Sequence, residues 1–171
     1  MKASYGKAIK AKEKLDPMQI ENYVPMRYEK VRVDGRSKLV AKAAIPNLIF
    51  VKADILQLNE AKDEIDFLHN MLTKSVDGNS LEPIIVSEVD MVRFMTVVAD
   101  AQEKVKFVDI DLNSKIISKG TKVRIIDGKY KDFEGTLCRP KGSRAKKVLI
   151  DVCGLASVEM PVINIELLEK I

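Results

Sequence analysis

Basic side chains are the residues of this 171-residue chain whose number and spacing point to a particular chemistry. Residues 1–42 contain eleven Lys or Arg and five acids, whereas residues 54–90 contain two Lys or Arg and nine acids. A basic region followed by an acidic one is suited to binding a polyanion on one side and a basic or apolar protein on the other. The alternative is two ordinary solvated faces. The candidate polyanion-binding residues of the first region are Lys7, Lys10, Lys14, Arg27, Arg32 and Arg36.

A second basic cluster lies in residues 139–147, where five Lys or Arg occur without an acid between them. The mutual repulsion of these charges is more tolerable if a nucleic-acid phosphate lies nearby, and a solvated loop is the alternative. Tyr130 and Phe133, just upstream, are of the type that stacks on bases. A small barrel also needs aromatic residues in its core, and we favour that interpretation of the two rings. The members of the basic cluster are Arg139, Lys141, Arg144, Lys146 and Lys147.

Residues for catalysis and metal binding are scarce. The chain contains one histidine, His69, and two cysteines, Cys138 and Cys153. So few ligands argue against a metal site and suit a reducing compartment. No paired nucleophile and base is evident, and no apolar run approaches the ~20 residues of a membrane span. We therefore expect a cytoplasmic protein that is not an enzyme, uses no cofactor or metal, and does not associate with a membrane.

Residues 119–135 are the most informative segment for the fold. Val123 and Ile125 alternate with basic residues, which is the pattern of a strand half buried in a small barrel. An Asp127-Gly128 pair ends this strand, and a short turn leads to the next one. Three glycines occupy positions where such a barrel needs a positive φ or a close backbone approach. They are Gly120, Gly128 and Gly135.

The first hundred residues have the pattern of an αβ domain. Ala8, Ala11 and Leu15 recur at helical spacing, and Asp34-Gly35 is a two-residue hairpin turn between two strands. An apolar run at residues 45–51 predicts a strand at the centre of a sheet. Helices are predicted at residues 6–15, at residues 55–64 with Ile55, Leu58 and Ala61 on one stripe, and from a cap at Ser87 to near Ala101.

The third predicted helix has two candidate apolar stripes. One stripe contains Val89, Val92 and Thr96, and the other contains Met91, Met95 and Val98. Both stripes have the helical period, and we interpret the methionine-rich segment at residues 91–95 as facing the core.

The order of these elements predicts an α+β fold with two domains. Residues 1–102 form an αβ domain with an antiparallel sheet and flanking helices. Residues 103–118 show no clear period and are predicted to be a linker. Residues 119–171 are predicted to form a small SH3-like β-barrel, with strands at residues 122–126, 136–139, 146–152 and 157–161.

The chain resembles the NusG family of transcription elongation factors over nearly its whole length. The segment Lys119–Gly135 is similar to the KOW motif of that family. In the first half, the similarity is carried by Leu15, by Tyr23-Val24-Pro25, and by residues 45–51, where Asn47 stands in place of a glycine. Residues 86–88, Phe94-Met95 and residues 163–171 are most similar to the specialised Bacteroidetes-type (UpxY-like) members.

This resemblance implies a transcription elongation or antitermination factor without catalytic activity. Its first, NGN-like domain would dock on the clamp of bacterial RNA polymerase and touch upstream or non-template DNA, and its KOW barrel would recruit partners or nucleic acid, including RNA. The resemblance implies that four residues, named below, contact the polymerase. Because alternate side chains of a strand point to opposite faces, about half of these four are expected to be core residues and not docking residues. The alternative function is a ribosome-associated RNA-binding KOW protein. The residues implied in polymerase binding are Tyr23, Ile45, Pro46 and Leu48.

Two departures from the family pattern have consequences. General members carry an aromatic residue, a glycine and an arginine in a barrel loop that docks on termination factor Rho or a ribosomal protein, whereas this chain has Cys153, Gly154 and Leu155 there. Loss of the ring and of the charge predicts weak binding to either partner. NusG-family members also begin with an apolar strand, and the resemblance implies that residues 1–4 are a stub of it. The alternative is a sheet that lacks this edge strand, which would expose apolar surface and lower stability.

Overall fold

A computed structural model describes residues 1–76, 80–101, 107–108, 120–139, 147–152, 155–160 and 165–171. The chain divides into two compact units, Met1–Ile85 and Val86–Ile171. The sequence places the end of the first domain at residue 102, whereas the structure groups the third helix with the second unit. The third helix belongs to the second unit because it packs on two strands of that unit. Of the predicted linker, residues 103–106 and 109–118 lie outside the described residues.

The two helices of the first unit are α1 (Ala8–Leu15) and α2 (Ile55–Glu64), close to the predicted bounds. The predicted stripe of α1 is buried as expected. A capping box begins α2, because Asp54 Oδ1 accepts from the Gln57 amide at 2.9 Å and Gln57 Oε1 accepts from the Asp54 amide at 3.1 Å. The core of this unit contains Ala3, Ala8, Ala11, Leu15, Ile20, Val24, Ile49, Ala61, Ile65 and Leu68. Ile55 was predicted to share the α2 stripe, but its side chain is exposed.

The described strands of the first unit form three antiparallel pairs. The predicted hairpin is confirmed, with its turn at Asp34-Gly35. The predicted strand at residues 45–51 is wrong at its start. The Leu48 amide donates to the Ile45 carbonyl at 3.2 Å, and Pro46 has no amide to offer a neighbouring strand, so residues 45–48 make a turn instead. The pairs are β1 (Glu21–Tyr23) with β4 (Phe50–Lys52), β2 (Met26–Val33) with β3 (Arg36–Ala43), and β5 (Thr73–Val76) with β6 (Ser80–Pro83).

Residues 1–4 lie between two other segments of the first unit. The Ala3 amide donates to the Asn47 carbonyl at 2.9 Å, and the Ser4 amide donates to the Phe67 carbonyl at 2.9 Å. Isolated bridges join Lys2 to Leu48 and Ala3 to Leu68. Residues 1–4 are therefore hydrogen-bonded on both sides and do not lie at an edge.

The second unit contains α3 (Glu88–Ala101) and a six-stranded antiparallel sheet. The four predicted strands are found with both ends within two residues of their expected bounds. A short additional strand, Phe107–Val108, falls in the predicted linker and pairs with Ser157 and Val158. In sheet order the strands are β12 (Leu168–Lys170), β8 (Thr121–Ile125), β9 (Glu134–Cys138), β10 (Lys147–Val152), β11 (Ala156–Glu159) and β7 (Phe107–Val108).

This sheet is open in the part of the chain that the structure describes, because its edge strands β7 and β12 do not pair with each other. The fold is thus α+β, with three helices and several antiparallel sheets among the described residues, and a closed barrel is not seen. None of these described helices is both long enough and apolar enough to traverse a lipid bilayer.

The predicted cap of α3 is confirmed. Ser87 Oγ accepts from the Asp90 amide at 3.1 Å and donates to Asp90 Oδ2 at 2.7 Å. The interpretation of residues 91–95 as core is only partly met. Phe94 is buried together with Val97 and Val98, whereas Met95 is 39% exposed.

Candidate nucleic-acid and protein interfaces

The β2–β3 hairpin is an exposed ribbon. Asp34 and Gly35 have φ values of 50° and 75°, the positive values of the type I′ turn that suits the twist of a two-residue hairpin. None of the side chains of β2 and β3 is fully buried, so both faces of the ribbon have contact with solvent. Strand pairing places Arg32 opposite Ser37 and Arg36 opposite Val33, next to the turn.

Ion pairing divides the basic residues of this hairpin into two groups. At its base, Glu29 bonds to Lys42 Nζ at 2.7 Å and to Arg27 Nη2 at 2.8 Å. The hydrogen bond from Lys42, with the charges of both cations, lowers the pKa of the Glu29 carboxyl. Arg32 and Arg36 make no ion pair within the described residues. The positive charge that is available to a ligand therefore lies at the tip.

Two basic residues of the hairpin were missed from the sequence. Lys30 and Lys38 are exposed and lie in the strands on either side of the turn, opposite Leu39 and Val31. The sequence does indicate a basic hairpin, because residues 26–43 contain six Lys or Arg and only two acids. We define the hairpin tip as Lys30, Arg32, Arg36 and Lys38.

The basic residues of α1 have different surroundings. Lys7 is half-buried, and its Nζ lies 5.7 Å from the centroid of the Phe67 ring, a cation–π contact. Lys10 and Lys14 are exposed at helical spacing from Lys7, so the three cations share one stripe. Of the predicted set, Lys10 and Lys14 are the members that this helix presents freely to solvent.

The four residues implied in polymerase docking differ in burial. Leu48 is buried, which makes it a core residue, as expected for part of this set. Ile45 and Pro46 are half-buried in the turn before β4. Tyr23 pairs with Phe50, with ring centroids 6.5 Å apart, and burial raises its pKa to about 12. The accessible part of the predicted patch is therefore Tyr23, Ile45 and Pro46.

Arg93 of α3 holds the turn between β8 and β9. Its Nη2 donates to the Asp132 carbonyl at 2.9 Å, and its guanidinium carbon lies 5.9 Å from the centroid of the Phe133 ring. Asp132 has a φ of 66°, a left-handed conformation that is uncommon outside glycine. Arg93 thus fixes the turn at its most constrained residue.

Asp100 makes a second connection between α3 and the same turn. Its Oδ1 lies 2.6 Å from Lys129 Nζ, and this hydrogen bond is the main cause that lowers the pKa of Asp100. Burial, then the interaction with Asp100, raises the pKa of Tyr130 to about 12. Tyr130 and Phe133 are half-buried, with ring centroids 5.6 Å apart. The rings are thus packed in the turn and not presented as open stacking platforms.

We expect Arg93→Ala to lower the unfolding free energy by about 1–2 kcal/mol, because it removes a hydrogen bond to a carbonyl and a cation–π contact. Urea unfolding measures this change. Arg124→Ala is the matched control, since the Arg124–Glu134 pair at 2.8 Å is solvent-exposed and such pairs contribute about 0–1 kcal/mol. Equal losses in the two variants would mean that Arg93 has no special role in the turn.

The second basic cluster is only partly described. Arg139 is exposed at the end of β9. Lys147 lies opposite Cys138 in β10, and its Nζ forms an ion pair with Glu159. Lys147 is therefore ion-paired within the sheet, and its binding to phosphate stays a prediction. Lys141, Arg144 and Lys146 lie outside the described residues.

The loop expected to carry the partner contacts is described at one position. Leu155 is half-buried beside the start of β11, whereas Cys153 and Gly154 lie outside the described residues. Burial raises the pKa of the Cys138 thiol, the other cysteine, which is buried in β9.

One contact has residue types used in catalysis. Ser4 Oγ lies 3.0 Å from His69 Nε2 on an exposed part of the first unit. A serine nucleophile needs a base that is oriented by a third group, and the described residues supply no hydrogen bond of that kind to His69. No cluster of three or more His, Cys, Asp or Glu suited to a metal ion is found among the described residues.

No protein-family model matches this chain, and no curated protein is significantly similar to it. The exposed hairpin tip and the folded β8–β9 element are therefore the features on which a function must rest.

Proposed function

We propose that this protein is a transcription elongation or antitermination factor of the NusG type, without enzymatic activity, that acts on bacterial RNA polymerase in the cytoplasm. The observation that carries the proposal is the segment resembling a KOW motif. Two antiparallel strands, β8 and β9, are joined there by a turn in which Gly128 has a φ of 87°. Gly120 and Gly135 lie where an added Cβ would meet neighbouring atoms at 2.1 Å and 2.7 Å. Such contacts supply a physical reason for glycine at the motif's spacing.

The proposal includes a division of labour along the chain. The first part is an NGN-like domain that docks on polymerase, and the second is a KOW barrel that recruits partners or nucleic acid. The hairpin tip supports the DNA-binding part of the proposal, since its cations near the turn are exposed. A two-stranded ribbon with exposed cations is a form that can follow a phosphate backbone.

Ile45→Asp tests the proposed docking on polymerase. We expect the variant to lose binding to purified bacterial RNA polymerase without nucleic acid, because an aspartate in an apolar interface costs several kcal/mol of affinity. A pull-down with immobilised polymerase measures the loss.

Ile55→Asp is the matched control, since Ile55 is an exposed residue on α2 outside the docking patch. Circular dichroism verifies that both variants fold. Retained binding by folded Ile55→Asp and lost binding by folded Ile45→Asp would support the patch, whereas unchanged binding by folded Ile45→Asp would remove Ile45 from it.

A ribosome-associated RNA-binding protein is the alternative function. Its support is Arg139, exposed at the end of β9 at the start of the second basic cluster. The two functions differ in the molecule bound, so the same pull-down distinguishes them. Binding to ribosomal RNA with no binding to polymerase would favour the alternative.

We further expect affinity for termination factor Rho at least roughly 30-fold below that of a general NusG-family member, because an aromatic anchor carries about 2 kcal/mol or more of an interface. Cys153 and Leu155 stand where the resemblance implies the ring and the arginine. Titrating the full chain and a general homologue side by side with Rho measures the difference. Equal affinities would show that other residues supply the anchor.

A further inference from the structure

One face of the β2–β3 hairpin combines an aromatic ring with two cations. Side chains alternate between the faces of a strand, and residues paired across two antiparallel strands share a face. Three positions of β2, taken every second residue, therefore lie on one face with their three partners on β3. None of these six residues is acidic. We define the tyrosine face as Tyr28, Lys30, Arg32, Ser37, Leu39 and Ala41.

The opposite face of the hairpin contains Glu29, which already binds two of the cations of that face. Its carboxylate lies 2.7 Å from Lys42 Nζ and 2.8 Å from Arg27 Nη2. Arg36 and Lys38 also belong to this face, so both faces carry cations near the turn. The aromatic ring is what distinguishes the two faces, because Tyr28 is the single aromatic residue of positions 26–43.

The ring of Tyr28 is available for stacking. Its side chain is 44% exposed, and it makes no ring contact within the described part of the chain. The rings of Tyr23 and Tyr130 each pair with a phenylalanine instead. Tyr5 is 84% exposed, but the cation nearest to it in the chain, Lys7, lies over a phenylalanine ring. Tyr28 therefore combines an accessible ring with free cations beside it.

Lys30 and Arg32 continue from Tyr28 as one row along β2. A strand rises about 3.4 Å per residue, so the row from Tyr28 to Arg32 is about 14 Å long. Both cations are exposed, and neither forms an ion pair with any residue that the structure describes. A ring followed by free cations along a surface is the arrangement that binds an unpaired nucleic-acid strand, since the ring takes a base and the cations take the backbone.

We propose that the tyrosine face binds single-stranded nucleic acid, with an unpaired base stacked on Tyr28 and phosphates of the same strand on Lys30 and Arg32. Stacking needs a base whose flat surface is open, and unstacked bases are found in single strands, loops and bulges. In a duplex, neighbouring bases cover these surfaces, so a duplex meets the cations but not the ring. The proposal deepens the proposed function, because it rests on the nucleic-acid binding assigned there to the hairpin tip.

Fluorescence anisotropy of the full chain tests the proposal with three labelled probes: a short DNA strand, an RNA strand of the same sequence and the DNA duplex. We expect Tyr28→Ala to lower the affinity for a single strand about tenfold, which is within the range for loss of one stacked base. The affinity for the duplex should stay unchanged. Tyr28→Phe keeps the ring and should bind like the unchanged chain. Tyr5→Ala is the matched control, since it removes an exposed tyrosine outside the hairpin.

The salt dependence of single-strand binding separates the ring from the cations. Each phosphate contact contributes about 0.7 to the magnitude of the slope of log K against log salt concentration, so Lys30→Gln with Arg32→Gln should reduce that magnitude by about 1.4. Tyr28→Ala should leave the slope unchanged, because stacking releases no counterions. If Tyr28 only maintained the hairpin structure, its loss would displace the cations and reduce the slope as well.

Three outcomes would overturn the proposal. They are unchanged single-strand affinity in Tyr28→Ala, equal losses for single strand and duplex, and an equal loss in Tyr5→Ala. A Tyr28 effect with DNA, with RNA or with both would support the proposal and identify the strand. The polymerase pull-down separates this proposal from the proposed function. Polymerase binding without a Tyr28 effect would overturn this proposal alone, whereas a Tyr28 effect without polymerase binding would support it and contradict the proposed function.

Discussion

Replacing both Arg32 and Arg36 with Glu is expected to weaken binding of duplex DNA by on the order of 50-fold at about 0.1 M salt. These two arginines flank the turn of the β2–β3 hairpin and make no ion pair within the described residues. The slope of log K against log salt concentration is negative, and each phosphate contact that is lost reduces its magnitude by about 0.9. The slope of the variant should therefore be smaller in magnitude by about two. Fluorescence anisotropy with a labelled duplex over a salt series measures both quantities.

A variant with the same change in net charge controls for a general electrostatic effect. Lys10→Glu with Lys14→Glu changes two exposed residues of α1. If the hairpin tip is the main DNA contact, this control should lose much less affinity. Equal losses in the two double variants would indicate that only net charge matters, and an unchanged slope in the hairpin variant would contradict a phosphate contact. Both hairpin positions are exposed, so folding should be unaffected, and circular dichroism verifies this.

The sequence predicted best those elements that are determined by local chemistry. The hairpin turn was found because Asp-Gly favours the positive φ values that Asp34 and Gly35 adopt. The cap of α3 depends on side chains within three residues, and the α1 stripe depends on one helical period. The β8–β9 element was found because its glycines mark a turn and two close contacts. In all of these cases except the β8–β9 element, the determining residues lie within a few positions of one another.

The predictions that failed depend on distant contacts. The apolar run at residues 45–51 has a strand-like composition, but hydrogen bonds to the start of the chain and a local turn use its backbone groups. Both faces of α3 are apolar, so periodicity did not identify the side that packs on β10 and β11. The ion pair of Lys147 with Glu159 could not be seen from the sequence, because the two residues are twelve positions apart. Among the candidate site residues, burial decided which remain accessible, and burial is a property of the whole fold.

The largest expected effect on stability is that of Gly135→Ala. An added Cβ at Gly135 would lie 2.7 Å from the Leu149 carbonyl oxygen and 2.7 Å from Val148 Cγ1. The first of these atoms belongs to the backbone of β10, which pairs directly with β9. A flexible side chain could move aside at low cost, but a paired strand moves only by breaking its hydrogen bonds. The substitution therefore forces β9 and β10 apart.

We expect Gly135→Ala to lower the unfolding free energy of the second unit by about 3 kcal/mol, toward the upper end of the range for overpacking. This is a large share of the 5–15 kcal/mol that is typical of a whole protein. Gly128→Ala is the matched control. It has a φ of 87° but no atom within 4 Å of the added Cβ, so it should cost only the backbone strain of about 1–2 kcal/mol. Urea unfolding of both variants, followed by circular dichroism, compares the two costs. A loss in Gly135→Ala no larger than that in Gly128→Ala would show that β9 and β10 separate easily, and the close approach would then not explain why the motif has glycine at this position.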